Sequence, residues 1–512
     1  MLLLDRRTLL LSGGSAAMLA ALPAWAQAVE RLATTPSDAI ADVRRFGATG
    51  DGIAIDTPAI NRAIDYAAAR GGGTVLVPAG TYACYTIRLK SRVTLRLENG
   101  AVILGAPAPQ NGVGGYDLAE PIDPTYEKFQ DFGHGHWKNS LIWGENLHDV
   151  AVVGEGLIWG KGVGRGDGKD GWLKDPNGPG TANKAIALKN CHNVLLRDFK
   201  ILEGGWFGIL ATGVDNLTID NLLIDTNRDG MDIDCCRNVR ISNCTINSPY
   251  DDGICPKSSY ALGYPRATEN LTIANCFVTG NYVIGSLIDG TWRKMPPDFA
   301  KTVHGRIKFG TESNGGFLNT TIANCTFDDS QGLALETVDG ALLEDFTVSN
   351  LTMRGSTSSP LFLRLGRRMR GPAGRPIGTL KRILISNVTS SHAGWLPSII
   401  AGVPGHPIED VQISDCYFHQ RGGAPEAMAR LRPPLNELAY PEPNMFGDIP
   451  ATGFFVRDAR NVRFSNVEIA VAAADPRPAF RLEGVDGARF RDVRGPGRLY
   501  SSERVTGVSR RA

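Results

Sequence analysis

One phrase returns along this chain at a nearly fixed interval, and that return leaves few folds open. Asn238-Val-Arg-Ile-Ser-Asn-Cys244 is preceded by Asn216-Leu-Thr-Ile-Asp-Asn-Leu222, 22 residues earlier (238 − 216 = 22), and followed by Asn270-Leu-Thr-Ile-Ala-Asn-Cys276. An apolar-alternating strand that ends in a turn residue and recurs at a set period marks a solenoid, where each coil buries its inner face only against its neighbours. Similar phrases start at Val194, Thr320, Phe346, Ile383, Val411 and Val462. The turn slot behind them holds Asn221, Asn243, Asn275, Asn324, Asn350, Asn387, Asp415 and Asn466. Asn suits that slot because it tolerates the left-handed conformation and its amide reaches the same group one coil away. The expected fold is all-β, a parallel β-helix.

Between two of the phrases lie Asn227-Arg-Asp-Gly-Met-Asp-Ile233 and Tyr250-Asp-Asp-Gly-Ile-Cys-Pro-Lys257. Asp229 and Asp251 are also one period apart (251 − 229 = 22), which predicts that they stack on adjacent strands roughly 4.7–4.9 Å apart. Carboxylates held so close are costly unless they share a proton or a task, as in acid–base chemistry. Asp251 and Asp252 are consecutive, so both serve one face only if the backbone bends, and Gly253 permits a bend.

The rest of the chain fits around this solenoid. Thr57, Pro58 and Gly71 bracket a helix over about 57–70, with Thr57 expected as N-cap; it closes the open end of the first coil. Loop inserts are expected at 107–139, about 281–305 and about 420–453 within a single domain over 42–500, with a tail over 501–512. Residues 1–28 resemble a twin-arginine export signal: Arg6-Arg7, an apolar run to Leu22, and Ala24-Trp25-Ala26 or Ala26-Gln27-Ala28 for cleavage. A periplasmic or secreted location follows as an expectation, with 29–41 as linker and no membrane span once the signal is removed. The net charge of +1 suggests no nucleic-acid partner. Of nine cysteines, Cys244, Cys276, Cys325 and Cys416 share one repeat slot and read as stacked interior thiols, while Cys235-Cys236 leaves a redox or disulfide element open.

Phe46-Gly-Ala-Thr-Gly-Asp-Gly52, Val77-Pro-Ala-Gly-Thr-Tyr82, Ser140-Leu-Ile-Trp-Gly144, Asn227 to Ile233 and Asp251 to Lys257 together resemble glycoside hydrolase family 28, the polygalacturonases and their rhamnogalacturonan-cleaving relatives. The resemblance covers Asp42 to about Val493. It implies a right-handed parallel β-helix that hydrolyses α-glycosidic bonds of pectic polysaccharide or oligosaccharide with inversion. It also implies an Asp acid, no metal and no cofactor; helices of this kind are commonly monomeric. Carried over position by position, Asp251 protonates the leaving oxygen while Asp229 and Asp252 hold and deprotonate the water, and Lys257 contacts substrate. Arg228 replaces the family's Thr and, with Glu312, is a further candidate contact.

Two departures concern the substrate. An ungapped match on Phe309-Gly310-Thr311-Glu312 leaves His304 one residue out of the family histidine's register. The family's Arg-Ile-Lys, which grips a galacturonate carboxylate, falls on Ala334-Leu335-Glu336, while an Arg306-Ile307-Lys308 stands one strand earlier. Either Arg306 and Lys308 lie beside the aspartates and Arg306 grips a carboxylate bidentately, or the subsite holds a neutral sugar whose hydroxyls bond Glu336. Two other readings compete: a pectate-lyase-like enzyme with Ca²⁺ in an Asp-lined groove, and a non-catalytic carbohydrate-binding β-helix. Endo or exo action is not decided by the sequence.

Overall fold

The computed structural model describes residues 40–109, 113–131, 133–163, 178–294, 296 and 303–511. The expected export signal and nearly all of the 29–41 linker lie outside them. From Ala41 onward the chain forms one unit, a parallel β-helix. Its register runs unbroken from coil to coil: Val194 pairs with Leu217, then Val239, Leu271, Thr320, Phe346, Ile383, Val411, Val462 and Ala488. The second apolar position of each phrase points inward, so Ile219, Ile241, Ile273, Ile322, Ile385 and Ile413 are fully buried. Each such side chain contributes about 1.5–3 kcal/mol, and stacking lets identical residues pack one over another.

The turn slots behave as expected. Asn243, Asn275, Asn324, Asn350 and Asn387 all have φ between 55° and 57°. Asn275, Asn324, Asn350 and Asn387 each donate to the amide oxygen of the previous coil's Asn at 2.9–3.2 Å. A second ladder at the head of the phrase, Asn216, Asn238, Asn270 and Asn319, does the same at 2.7–3.1 Å. All nine cysteines are buried free thiols, so Cys235 and Cys236 form no disulfide. Cys244, Cys276 and Cys325 stack through the registers Thr245–Phe277 and Phe277–Thr326.

The capping helix spans Thr57–Ala69 and buries Ala59, Ile60, Ala63, Ile64 and Ala67. Its N-cap is Asp56 rather than Thr57. The Asp56 carboxylate accepts from Thr49 and Gly50 N–H at 2.7 and 3.0 Å, while Thr57 Oγ1 accepts from Tyr85 N–H at 2.7 Å. At the other end the expected tail belongs to the solenoid. Strands Tyr500–Glu503 and Ser509–Arg511 pair in parallel with Phe480–Arg494, because the apolar edge of that coil needs a further layer.

The largest correction concerns the aspartates. On the turn-side faces the repeat offset is 22, as in Asp225–Asn247 (247 − 225 = 22). One residue is inserted before the next strand, so Met231 pairs with Ile254 (254 − 231 = 23). Asp229 therefore aligns with Asp252, and Gly230 N–H donates to Asp252 O at 2.9 Å. Asp251 is displaced to stand beside Arg228. The strand begins only at Ile254, so Asp251 and Asp252 sit in the bend ahead of it, outside strict alternation.

Candidate active site

The site lies on the outward face of strands Asp229–Asp234, Ile254–Lys257, Ile307–Phe309 and Leu333–Thr337, whose inward residues Met231, Ile233, Ile254, Ile307, Phe309, Leu333 and Leu335 belong to the core. On the phrase strands the outward residues meet water; on this sheet the outward face is covered, and here its charged residues are buried. Burial forces every charge to find a partner.

Asp252, 1% exposed, is gripped from two sides. Arg306 Nε donates to its Oδ1 at 2.5 Å, and Lys308 Nζ stands 3.5 Å from Oδ2. Burial pushes this carboxyl up, but Arg306 and Lys308 outweigh it and hold Asp252 well below the usual carboxylate range. Asp229, 4% exposed, has no such partner. Burial, then Asp232 and Asp251, pushes its carboxyl well above the usual carboxylate range. Asp251 is the most open of the three, its side chain 23% exposed and paired to Arg228 Nη2 at 2.6 Å. Arg228 in turn stacks on the Trp206 ring at 4.5 Å. His304 joins them: one ligating atom each of Asp251, Asp252 and His304 lie within 4.8 Å of one another, as do atoms of Asp229, Asp252 and Cys255. The one-residue slip at His304 thus leaves it beside the aspartates, with burial pushing its imidazole down and keeping it neutral.

Arg306 and Lys308 do flank the aspartates, as one reading anticipated, but the bidentate grip is already taken. Arg306 Nη1 and Nη2 donate to Glu442 Oε2 and Oε1 at 2.9 and 2.6 Å, and Lys308 Nζ donates to the Tyr440 hydroxyl at 3.1 Å. Two buried cations so close to Asp252 need a second anion, and the loop carrying Glu442 supplies it. That loop is fixed by guanidinium bonds to its backbone: Arg457 donates to Pro433 and Pro434 carbonyls at 2.7 and 2.8 Å, and Phe446 is buried against Phe362 and Phe455. Lys257 and Glu312, expected as substrate contacts, are bonded to each other at 3.3 Å and buried, and Arg370 also donates to Glu312. Glu336 is fully buried, neither carboxyl oxygen has a hydrogen-bond partner among the described residues, and burial pushes it up to about 8.

Besides Glu442, Asp232 and His134 escaped the sequence reading. Asp232, fully buried, lies with Oδ2 2.7 Å from His134 Nε2 and 3.8 Å from Lys257 Nζ. Burial, opposed by Lys257 and reinforced by Asp251 and Asp252, pushes its carboxyl well up, and burial with Lys257 nearby pushes the His134 imidazole down. Asp232 alternates with core residues Met231 and Ile233, a signal available in the sequence. His134, from the 107–139 insert, carried none.

A model described as "Right handed beta helix region" matches residues 180–295, and one described as "Rhamnogalacturonase A/epimerase, pectate lyase-like" matches residues 40–108. The chain is 28% identical over 241 residues to a probable polygalacturonase of Vitis vinifera, covering 44% of this chain and 47% of that protein. It is 23% identical over 398 residues to an exo-poly-alpha-D-galacturonosidase of Dickeya chrysanthemi, covering 64% of each. The chain thus spans from about half to just under two thirds of these relatives' own lengths. The family 28 exopolygalacturonase of Yersinia enterocolitica superposes with a TM-score of 0.60 at 18% identity, over 89% of this chain and 77% of that one, a likeness of fold. The chain is a family 28-like protein built as a right-handed parallel β-helix.

Proposed function

We propose that this protein is a glycoside hydrolase that cleaves α-glycosidic bonds of pectic polysaccharide or oligosaccharide with inversion. The observation that carries the reading is the gathering of Asp229, Asp251 and Asp252 with His304 on one face, atoms of Asp251, Asp252 and His304 lying within 4.8 Å of one another and atoms of Asp229 and Asp252 likewise. Carboxyls in unlike surroundings, Asp252 beside Arg306 and Lys308 and Asp251 open beside Arg228, can take unlike roles. Asp252 takes the proton of a water that Asp229 orients, while Asp251, the most exposed of the three carboxyls, takes up a proton from solvent as substrate parts it from Arg228 and gives that proton to the leaving oxygen. Asp252 and Asp229 are too recessed to attack the sugar carbon themselves, which favours water as nucleophile. The close approach of Asp251 to Asp252 is less than the ~6.5–9.5 Å between carboxyls of most inverting enzymes, so the water belongs beside the pair rather than between its two members.

A lyase receives less support, because Arg306 and Lys308 occupy the carboxylate that a Ca²⁺ ion would need. The paired arginines near the amino terminus support export to the periplasm or medium. Digestion of polygalacturonan and rhamnogalacturonan, following new reducing ends and the ultraviolet absorbance of a C4–C5 double bond, tests the reading. Reducing ends without absorbance are expected; absorbance would replace hydrolysis with elimination.

A further inference from the structure

Far along the solenoid from the aspartates, the outward side chains of the phrase strand change character. In one register column Leu384 and Gln412 give way to Arg463 and then Arg489. Two residues on, Ser414 and Ser465 give way to Arg491 and then Arg511. Four exposed guanidinium groups thereby stand in two columns, on strands one coil apart, about 4.7–4.9 Å per step. They line a groove of about 580 Å³ together with Gln412 and Ser465.

Like charges directly opposite one another on neighbouring strands destabilise a sheet. Little in the protein relieves them. Arg491 donates to Ser465 Oγ at 2.9 Å and lies 3.9 Å from Asp492, and Arg463 donates to Asn461 Oδ1 at 3.3 Å. Arg463, Arg489 and Arg511 make no ion pair among the described residues. The earlier serine column shows that the fold does not require arginine at these positions. An arrangement that costs stability, is confined to the last coils and bounds a groove fits an anionic ligand supplied from outside.

We propose that this groove binds an acidic polysaccharide, a polyuronate chain lying along the solenoid axis, at a site separate from the aspartates. The guanidinium fork pairs bidentately with carboxylate. Two columns of guanidinium groups present cations on either side of the groove, so carboxylates that point to either side of a polyuronate chain find a partner. Gln412 and Ser465, ahead of the arginines in their columns, offer bonds to ring hydroxyls. Nucleic acid is the poorer occupant, since a net charge of +1 supplies none of the long-range field that phosphate binding draws on. Choosing a polyuronate rests on the proposed hydrolase reading; the arginine columns themselves do not.

The test compares the full chain with Arg463→Gln/Arg489→Gln/Arg491→Gln, substitutions on exposed positions that touch neither the core nor the aspartates. Affinity electrophoresis through gels containing polygalacturonate, neutral galactan or single-stranded DNA reads binding. Expected is retardation of the parent by polygalacturonate, lost in the variant and abolished by 0.5 M salt, with none by galactan; on a cleaved polymer the KM should rise about five- to tenfold while kcat/KM on a trisaccharide stays unchanged. Equal mobility of parent and variant in polygalacturonate, or retardation by DNA alone, overturns the proposal. Groove-dependent retardation without cleavage of any pectic substrate would sink the hydrolase reading and leave this one standing.

Discussion

Replacing Arg306 by Ala isolates the charge balance on which the site depends. The substitution removes three hydrogen bonds at 2.5–2.9 Å and leaves Asp252 and Glu442 facing each other in a buried pocket with Lys308 alone between them. Breaking a buried ion pair by deleting one partner costs about 3–5 kcal/mol; Lys308 keeps the loss near the lower figure. With roughly 2 cal/mol/K of unfolding entropy per residue, a unit of this length loses about 1 °C of Tm per kcal/mol, so a fall of about 3 °C is expected at pH 7. The pH dependence carries the diagnostic. A carboxyl held below its ordinary value contributes stability above about pH 4, lost as pH falls through its folded-state value. In the variant, burial acts unopposed by Arg306 and Asp252 protonates readily, so the gap between parent and variant narrows as pH falls from 7 toward 4 and below. Thermal unfolding followed by tryptophan fluorescence at pH 7, 5 and 4 measures it. A gap of the same size at every pH, or none at pH 7, would refute the claim that Arg306 acts by holding a charged Asp252.

Three further outcomes follow from the same geometry. Glu336, raised to about 8, stabilises the fold below about pH 4.5 and withdraws that contribution as pH rises toward 8; Glu336→Gln should flatten this decline and be the more stable protein at pH 8 in urea titrations. Asn275→Ala loses the donor bond to Asn243 and places a Cβ residue at φ 57° without amide compensation, costing about 1–2 kcal/mol by urea unfolding, whereas Asn275→Gly, which loses only the amide, should cost about half as much; no loss in Asn275→Gly would mean the amide ladder is inert. A thiol reagent should label no cysteine in the native protein and nine in guanidinium, and rapid native labelling would contradict their burial.

What the sequence disclosed was periodic, and what it hid was not. The phrase centred on Val239 carried strand, inward face and turn slot together because each coil repeats one local problem, so the β-helix, the Asn ladder and the stacked cysteines were all legible. The heads of the same phrases, Asn216, Asn238 and Asn270, form a second ladder that shares the period and was equally legible there. The alignment of Asp229 with Asp251 failed by a single residue, since a period measured on one face does not report an insertion on the next. His134 and Glu442 come from inserts with no period, 98 residues from Asp232 and 136 from Arg306, and only folding brings them to the site. Arg306 and Lys308 were located correctly beside the aspartates, yet their true partner, Glu442, was invisible for the same reason.

Whether the carboxylate centre of this β-helix hydrolyses a pectic glycoside is read most plainly from reducing-end release from rhamnogalacturonan and polygalacturonan by the parent and by Asp251→Asn. Expected are release by the parent, with inversion at the new anomeric carbon seen by proton NMR, and a loss of about a hundredfold or more in kcat for the variant with its Tm nearly unchanged. Full activity in Asp251→Asn would rule out Asp251 as the acid.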